Sequence, residues 1–283
     1  MDVIKCFQNL QVYNDFLQNT PVNDAFKERE KNGELESKTS DSYFTGTPSW
    51  ENATERLISG DKESADKIKE VQKGGRVDAN IHTNVVKPKM RRRMAGFMPS
   101  VPAYCAGAKR CMYRYIKETK QTKVLTICYN IGALCGVSST DIARSAFNVL
   151  KAVLRIEASG TRVNFYTSAI SESCGQACGS VVKIKDSSQY FNFLKMAYPM
   201  VHPSMFRRQA FRFKEVAEGV RKSFSNGYGS TISSTDEIEK RITKSIPTLR
   251  DAIFLGFYEV RRMDEDGIFE RIKAKALNKS QSI

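Results

Sequence analysis

Histidine is scarce in this chain: of 283 residues only His82 and His202 carry an imidazole, which leaves metal chemistry built on that ring almost nothing to work with. No apolar run approaches the roughly 20 residues that cross a bilayer, so no membrane partner is expected. The opening stretch, Met1-Asp2-Val3-Ile4-Lys5-Cys6-Phe7-Gln8-Asn9-Leu10, has one lysine but neither a sustained apolar core nor a small-residue cleavage site, and does not read as a secretory signal. Nucleotide fingerprints are missing too. Gly132 and Gly136 lack the G-x-G-x-x-G spacing and no Gly-Lys-Ser/Thr follows them. These absences predict no cofactor and a cytoplasmic place of action.

Seven cysteines (Cys6, Cys105, Cys111, Cys128, Cys135, Cys174 and Cys178), an odd number without repeated spacing, read as reduced thiols of an intracellular chain. Cys174 and Cys178 form the one close pair, without a second pair or a neighbouring histidine to complete a zinc site. Asp186, Glu215, Asp251, Asp264 and Asp266 show no nuclease-like spacing, and Asp264-Glu265-Asp266 reads as a charge device at a helix start. Cys128 or Cys135 could pair with His202 as thiolate and imidazole, yet apolar strands commonly bury cysteines, and His202 before Pro203 reads better as a packing or capping group. No catalytic residue is assigned, and an enzyme is the less favoured reading.

What the chain does have is positive charge, +14 in all. Twelve Lys/Arg fall between Arg76 and Lys123 against only Asp78 and Glu118. Such a surplus predicts a polyanionic partner, because phosphate neutralisation gives affinity without reading sequence. Within it, residues 84–108 carry Pro88, Pro99, Pro102, Gly96 and Gly107 and read as irregular or extended. The run Lys89-Met90-Arg91-Arg92-Arg93-Met94 inside them reads as a solvated loop or as a contact to nucleic acid or an acidic protein.

The remaining chain is patterned. Val3, Cys6, Phe7, Leu10, Val12, Phe16 and Leu17 have helical spacing, and the polar run 27–38 reads as a solvated helix end or linker. Ser49 can cap a helix running to about Gly60, followed by a second over 61–73, with Trp50 an aromatic anchor for the pair rather than a base-stacking platform. Val124–Tyr129 is strand-like; a helix begins near the cap candidates Ser139 and Thr140 with the stripe Ile142, Ala143, Ala146, Phe147, Leu150, Val153 and Leu154; and 161–167 alternates as a strand. A crossover of that length implies parallel, right-handed connection. A Gly/Ser/Cys-rich loop over 168–179, a strand over 180–186, helices over 190–200 and 205–221, a flexible loop over 225–235, a short helix from Asp236, a last strand over 252–258 and a helix over 264–275 follow.

The loop after the first core strand offers Asn130, Ser138, Ser139 and Asp141 as a ligand loop; without converging carboxylates no metal is predicted there, and a turn plus helix cap is the preferred reading. His202-Pro203-Ser204-Met205-Phe206-Arg207-Arg208 reads as a helix start whose arginines are solvated, or as an anion site.

Three strings, Gly46-Thr47-Pro48-Ser49-Trp50-Glu51-Asn52-Ala53, Val101-Pro102-Ala103-Tyr104-Cys105-Ala106-Gly107 with Cys111-Met112, and Val182–Asp186 with His202–Arg208, resemble a family of uncharacterised proteins of tailed bacteriophages, over roughly residues 44–270. The order of the core unit also resembles a von Willebrand A-type domain, a doubly wound sheet with a ligand loop after its first strand. That domain's metal site uses Asp-x-Ser-x-Ser, whereas Asn130-Ile131-Gly132-Ala133-Leu134 stands at the matching point. The phage resemblance implies action in a bacterial host cytoplasm or a virion, in genome handling or assembly.

Together these readings predict an α/β protein with a doubly wound, mostly parallel sheet, von Willebrand A-like, divided into a helical N-terminal extension (1–75), a basic irregular connecting segment (76–122) and the α/β core (123–283). The expected function is non-enzymatic binding of nucleic acid with little sequence specificity. Lys87, Lys89, Arg91, Arg92 and Arg93, with Arg207 and Arg208, are the expected phosphate contacts. The alternative is a scaffold or virion component gripping a phage or host protein with the loop end of the sheet.

Overall fold

The computed structural model describes residues 1–66, 89–116 and 123–280. Its strands are β1 (Val3–Phe7), β2 (Lys89–Arg93), β3 (Met98–Pro99), β4 (Met112–Ile116), β5 (Val124–Asn130), β6 (Arg162–Ser173), β7 (Gln176–Lys185), β8 (Ser230–Thr231) and β9 (Ile253–Gly256). The helices that matter below are α1 (Leu10–Asn19), α2 (Trp50–Ser59), α3 (Ser139–Ala158), α4 (Phe193–Val201), α5 (Ala210–Val216), α6 (Thr235–Ser245) and α7 (Glu265–Ser280).

A six-stranded sheet runs β1-β7-β6-β5-β9, with β8 added to β6. β5 pairs in parallel with β6 and β9, and β1 with β7, while β6 and β7 are antiparallel. The sheet is thus mixed but mostly parallel, and α3 makes the expected crossover from β5 to β6. Side chains alternate between two apolar layers. Ile127, Tyr129, Phe165 and Leu255 enter the one that α1, α3 and α5 cover, and Cys128, Ile170, Val181 and Phe254 the one that α6 covers. Helices on both faces are what make an interior sheet strand apolar on successive residues.

Several elements depart from the sequence pattern. Residues 3–7 are an edge strand, not a helix start. Ile4 and Phe7 are buried in opposite layers, and in a strand covered on both faces a spacing of three mimics helical periodicity. The polar run 27–38 is two short helical pieces, and Ser37 within it is fully buried. Residues 168–179 are not a loop: β6 continues to Ser173 and turns through Cys174 (φ 47°) and Gly175 (φ 76°) into β7, as a two-residue hairpin requires. Small residues let these strands meet closely, since a Cβ on Gly179 would lie 2.2 Å from the Ala169 carbonyl oxygen. Residues 225–235 are anchored by β8 and by Tyr228, buried at φ 62°. The final strand is four residues, and Phe257–Val260 is already helical. The Ser49 cap, with Asn52 N–H donating to Ser49 Oγ at 3.2 Å, and buried Trp50 stand as the pattern predicts. Of the second helix expected there, 62–66 are helical and the rest lies outside the described residues.

Gly179→Ala is expected to lower the unfolding free energy by about 1–3 kcal/mol through overpacking, whereas Gly136→Ala, with nothing within 4 Å of the added methyl, is expected to change it by less than about 0.5 kcal/mol. Urea midpoints of the two variants check the contrast.

Candidate nucleic-acid interface

Residues 89–116 contain seven Lys/Arg and no Asp or Glu. Of the irregular or extended alternatives, β2 and β3 show the extended one. β2, β4 and β3 form an antiparallel sheet with β4 in the centre, and Pro99 is accommodated on an edge strand, where no ladder donor is needed. The register sets Arg91 opposite Arg114, Arg92 opposite Tyr113, Arg93 opposite Met112 and Met98 opposite Tyr113. By strand alternation Arg91, Arg93 and Arg114 share one face and Met90, Arg92, Tyr113 and Met98 the other. Like charges directly opposite each other are destabilising, and the register places Arg91 and Arg114 in that relation.

Gly96 permits the turn into β3: a Cβ there would lie 2.1 Å from the Tyr113 carbonyl oxygen, the acceptor to which the Phe97 N–H donates at 3.0 Å. Every residue from Met90 to Pro99 is exposed. Lys89 contributes backbone pairing to β2, opposite Ile116, and Lys87 lies outside the described residues.

The loop after β5 behaves as a cap. Ser138, one residue before the expected candidates, accepts from the Asp141 N–H at 3.1 Å and starts α3. Asp141 is held at 2.8 Å by both Arg144 and Arg261, and Ser139 is exposed. Asn130 is buried at the end of β5. Its Oδ1 accepts from Ser168 Oγ at 3.4 Å, while its Nδ2 finds no acceptor among the described residues. Ser138 and Asp141 are thus engaged in capping and ion pairing, and among the described residues no three His, Cys, Asp or Glu are grouped to hold a metal ion.

Arg207 and Arg208 are neither solvated nor at an anion site. Both are buried, in a π-helical turn over Met205–Gln209 that leads into α5 and closes with the Ala210 N–H on the Met205 carbonyl. Arg208 donates from Nε to Thr47 Oγ1 (2.9 Å), from one terminal nitrogen to the carbonyls of Ser37 and Lys38 (3.0 and 3.2 Å) and from the other to those of Ser40 and Thr47 (2.9 and 3.0 Å). Its five N–H donors thus all have acceptors. Burial lowers the pKa of the group. Arg207 stacks over the Phe44 ring and donates to the carbonyls of Phe44, Cys135 and Val137. Neither is left to meet a phosphate. The signal that marks them as buried is Phe211, four residues from both Arg207 and Glu215, which puts an aromatic on an arc that a solvated face keeps polar.

Residues 2–265 match the family model of a domain of unknown function, DUF7192. The chain belongs to that family. No curated protein and no solved structure matches it. The matched stretch takes in nearly all of the central sheet's packing and the small basic sheet alike, so in this DUF7192 chain the basic sheet lies within the family's domain.

The other chemistry-bearing groups are engaged elsewhere. His202 packs on Tyr198 and accepts from the Ser204 N–H at 3.2 Å, and burial pushes the Cys128 thiol up to about 12. Asp186 pairs with Lys183 and caps Ser188. Glu215, fully buried, accepts from Ser37 Oγ and the Tyr228 hydroxyl, each at 2.6 Å. Beside it Lys214 donates to the Tyr228 carbonyl at 2.8 Å, and burial lowers its pKa to about 8 against the opposing pull of Cys178, Glu36 and Glu215.

Arg208→Lys, which replaces a five-donor fork by three donors, is expected to lower the unfolding free energy by about 3–5 kcal/mol; a urea midpoint unchanged from wild type contradicts the role assigned to Arg208. For Lys214 the folded state releases its proton near pH 8, whereas the unfolded lysine keeps it to about 10.5. The unfolded state thus binds more protons across that window, and stability rises with pH there. Wild type is expected to gain on Lys214→Met between pH 8 and 10.5 in urea titrations, and the two to run parallel below pH 7.

Proposed function

We propose that this protein binds nucleic acid with little regard to sequence, in genome handling or assembly of a tailed bacteriophage, with Arg91, Arg92, Arg93 and Arg114 as phosphate contacts and Lys87 and Lys89 beside them. The observation that carries the reading is the small sheet of residues 89–116: seven cations, no carboxylate of its own, arginines on both faces and ten consecutive exposed residues. Among the described residues no side chain of this three-stranded sheet is buried, such a sheet has little to stabilise it alone, and a polyanion supplies cover. Cytoplasmic action and the absence of an enzymatic role belong to the same proposal. Among the described residues no helix is long and apolar enough to cross a membrane.

We also read the core as von Willebrand A-type. The parallel β5–α3–β6 unit, β9 on the other side of β5 and the loop after β5 support this. Asn130 replaces the aspartate with which that domain's metal site begins, so the reading brings no metal with it.

The test is a titration of nuclease-treated protein against DNA and RNA at several salt concentrations. Affinity is expected to fall steeply with salt, and changing Arg91, Arg92 and Arg93 together to Ala to reduce the slope of log K against log salt by about 2–3. Salt-insensitive affinity, or a triple variant that binds as wild type, overturns the assignment. Recovery instead of a stoichiometric protein partner after nuclease treatment points to a scaffold.

A further inference from the structure

We infer that the small basic sheet takes unpaired nucleotides in preference to duplex, stacking bases on its exposed aromatic and apolar side chains. The inference rests on the nucleic-acid reading above and adds the form of the ligand. Its basis is what the arginines are interleaved with. Met90, Met94, Phe97, Met98, Val101 and Tyr104, six apolar or aromatic side chains within fifteen residues, are 41–75% exposed. Cations and polar donors suffice for a duplex backbone, and a duplex keeps its base faces inside its own stack. Single strands present those faces, and aromatic rings and guanidinium planes receive them irrespective of base identity.

The arrangement favours this use. On one face Arg92, Tyr113 and Met98 form a row across β2, β4 and β3, spanning about 10 Å at the usual strand spacing of about 4.8 Å. Phe97 is tied to that row through the Tyr113 carbonyl, and Tyr104 lies on the short helix Val101–Cys105 that continues directly from β3. The opposite face carries Arg91, Arg93 and Arg114. Among the described residues β2 is an edge strand with arginines on both sides, so a flexible single strand can lie along the edge with phosphates on one face and bases turned onto the other. Duplex DNA, stiff over about 150 base pairs, cannot wrap one strand edge in that way.

The experiment uses the full chain and fluorescence anisotropy with a 20-nucleotide oligothymidine and a 20-base-pair duplex at one salt concentration. The single strand is expected to bind at least about tenfold more tightly. Phe97→Ala and Tyr104→Ala are each expected to weaken single-strand binding about fivefold or more and to change duplex binding less than twofold, with Phe97→Trp retaining wild-type affinity because it keeps a ring. Equal or tighter duplex binding, or aromatic variants that weaken both ligands alike, overturns the inference and leaves salt-dependent nucleic-acid binding standing. Duplex preference with kinking, the signature of apolar wedges in a minor groove, overturns it as well. Binding to neither ligand at low salt overturns the nucleic-acid reading and this inference with it.

Discussion

A guanidinium with five donors and five acceptors sits at the point where the N-terminal part of the chain joins the sheet. Residues 36–47 contain only two four-residue helices, so many of their carbonyls have no partner in regular structure. Buried carbonyls need donors, and Arg208 supplies them to Ser37, Lys38, Ser40 and Thr47 from a single side chain. The planar fork fixes the directions of all these bonds together, which a lysine cannot do. Arg207 extends the clamp to Phe44 and across to Cys135 and Val137, and Arg212 reaches the Leu17 carbonyl. The helical segment 205–216 thus holds residues 17–47 and the loop after β5 against one another with charged side chains.

That clamp explains why so much charge is buried without a matching set of carboxylates. Glu215 is the acidic member and is satisfied by Ser37, Tyr228 and Arg212; the other acceptors are backbone oxygens and one threonine hydroxyl. Desolvation of these cations is offset by saturating their donors, and their removal strands several acceptors at once. Tyr228 carries the positive φ of its turn because its hydroxyl and carbonyl are both engaged, by Glu215 and Lys214.

Arginine does two opposite jobs in this chain. At 207–208 it is buried, with Phe206, Phe211 and Phe213 nearby in sequence, and donates mainly to carbonyls. At 91–93 it stands on an exposed edge strand in a stretch without a single acidic residue. Read as strings, both are basic runs next to methionine and proline. What separates them is the neighbouring pattern: Phe211 and Phe213 continue an apolar helix surface beyond 207–208, whereas Met94, Gly96 and Pro99 break any continuous core around 91–93.

The β5–α3–β6 unit was legible from residue order, because β-branched strand residues, a capping serine and an apolar helical stripe are local signals that act within a few residues. The basic surplus over 76–123 was equally plain, since net charge is additive along the chain. Only tertiary structure decided that Val3–Phe7 joins the sheet, that 168–179 is a hairpin, and that Arg207 and Arg208 are internal. These outcomes depend on which surfaces cover a segment, on the close approach at Gly179 and on carbonyls supplied from 70 to 171 positions away in sequence, none of which a local pattern records.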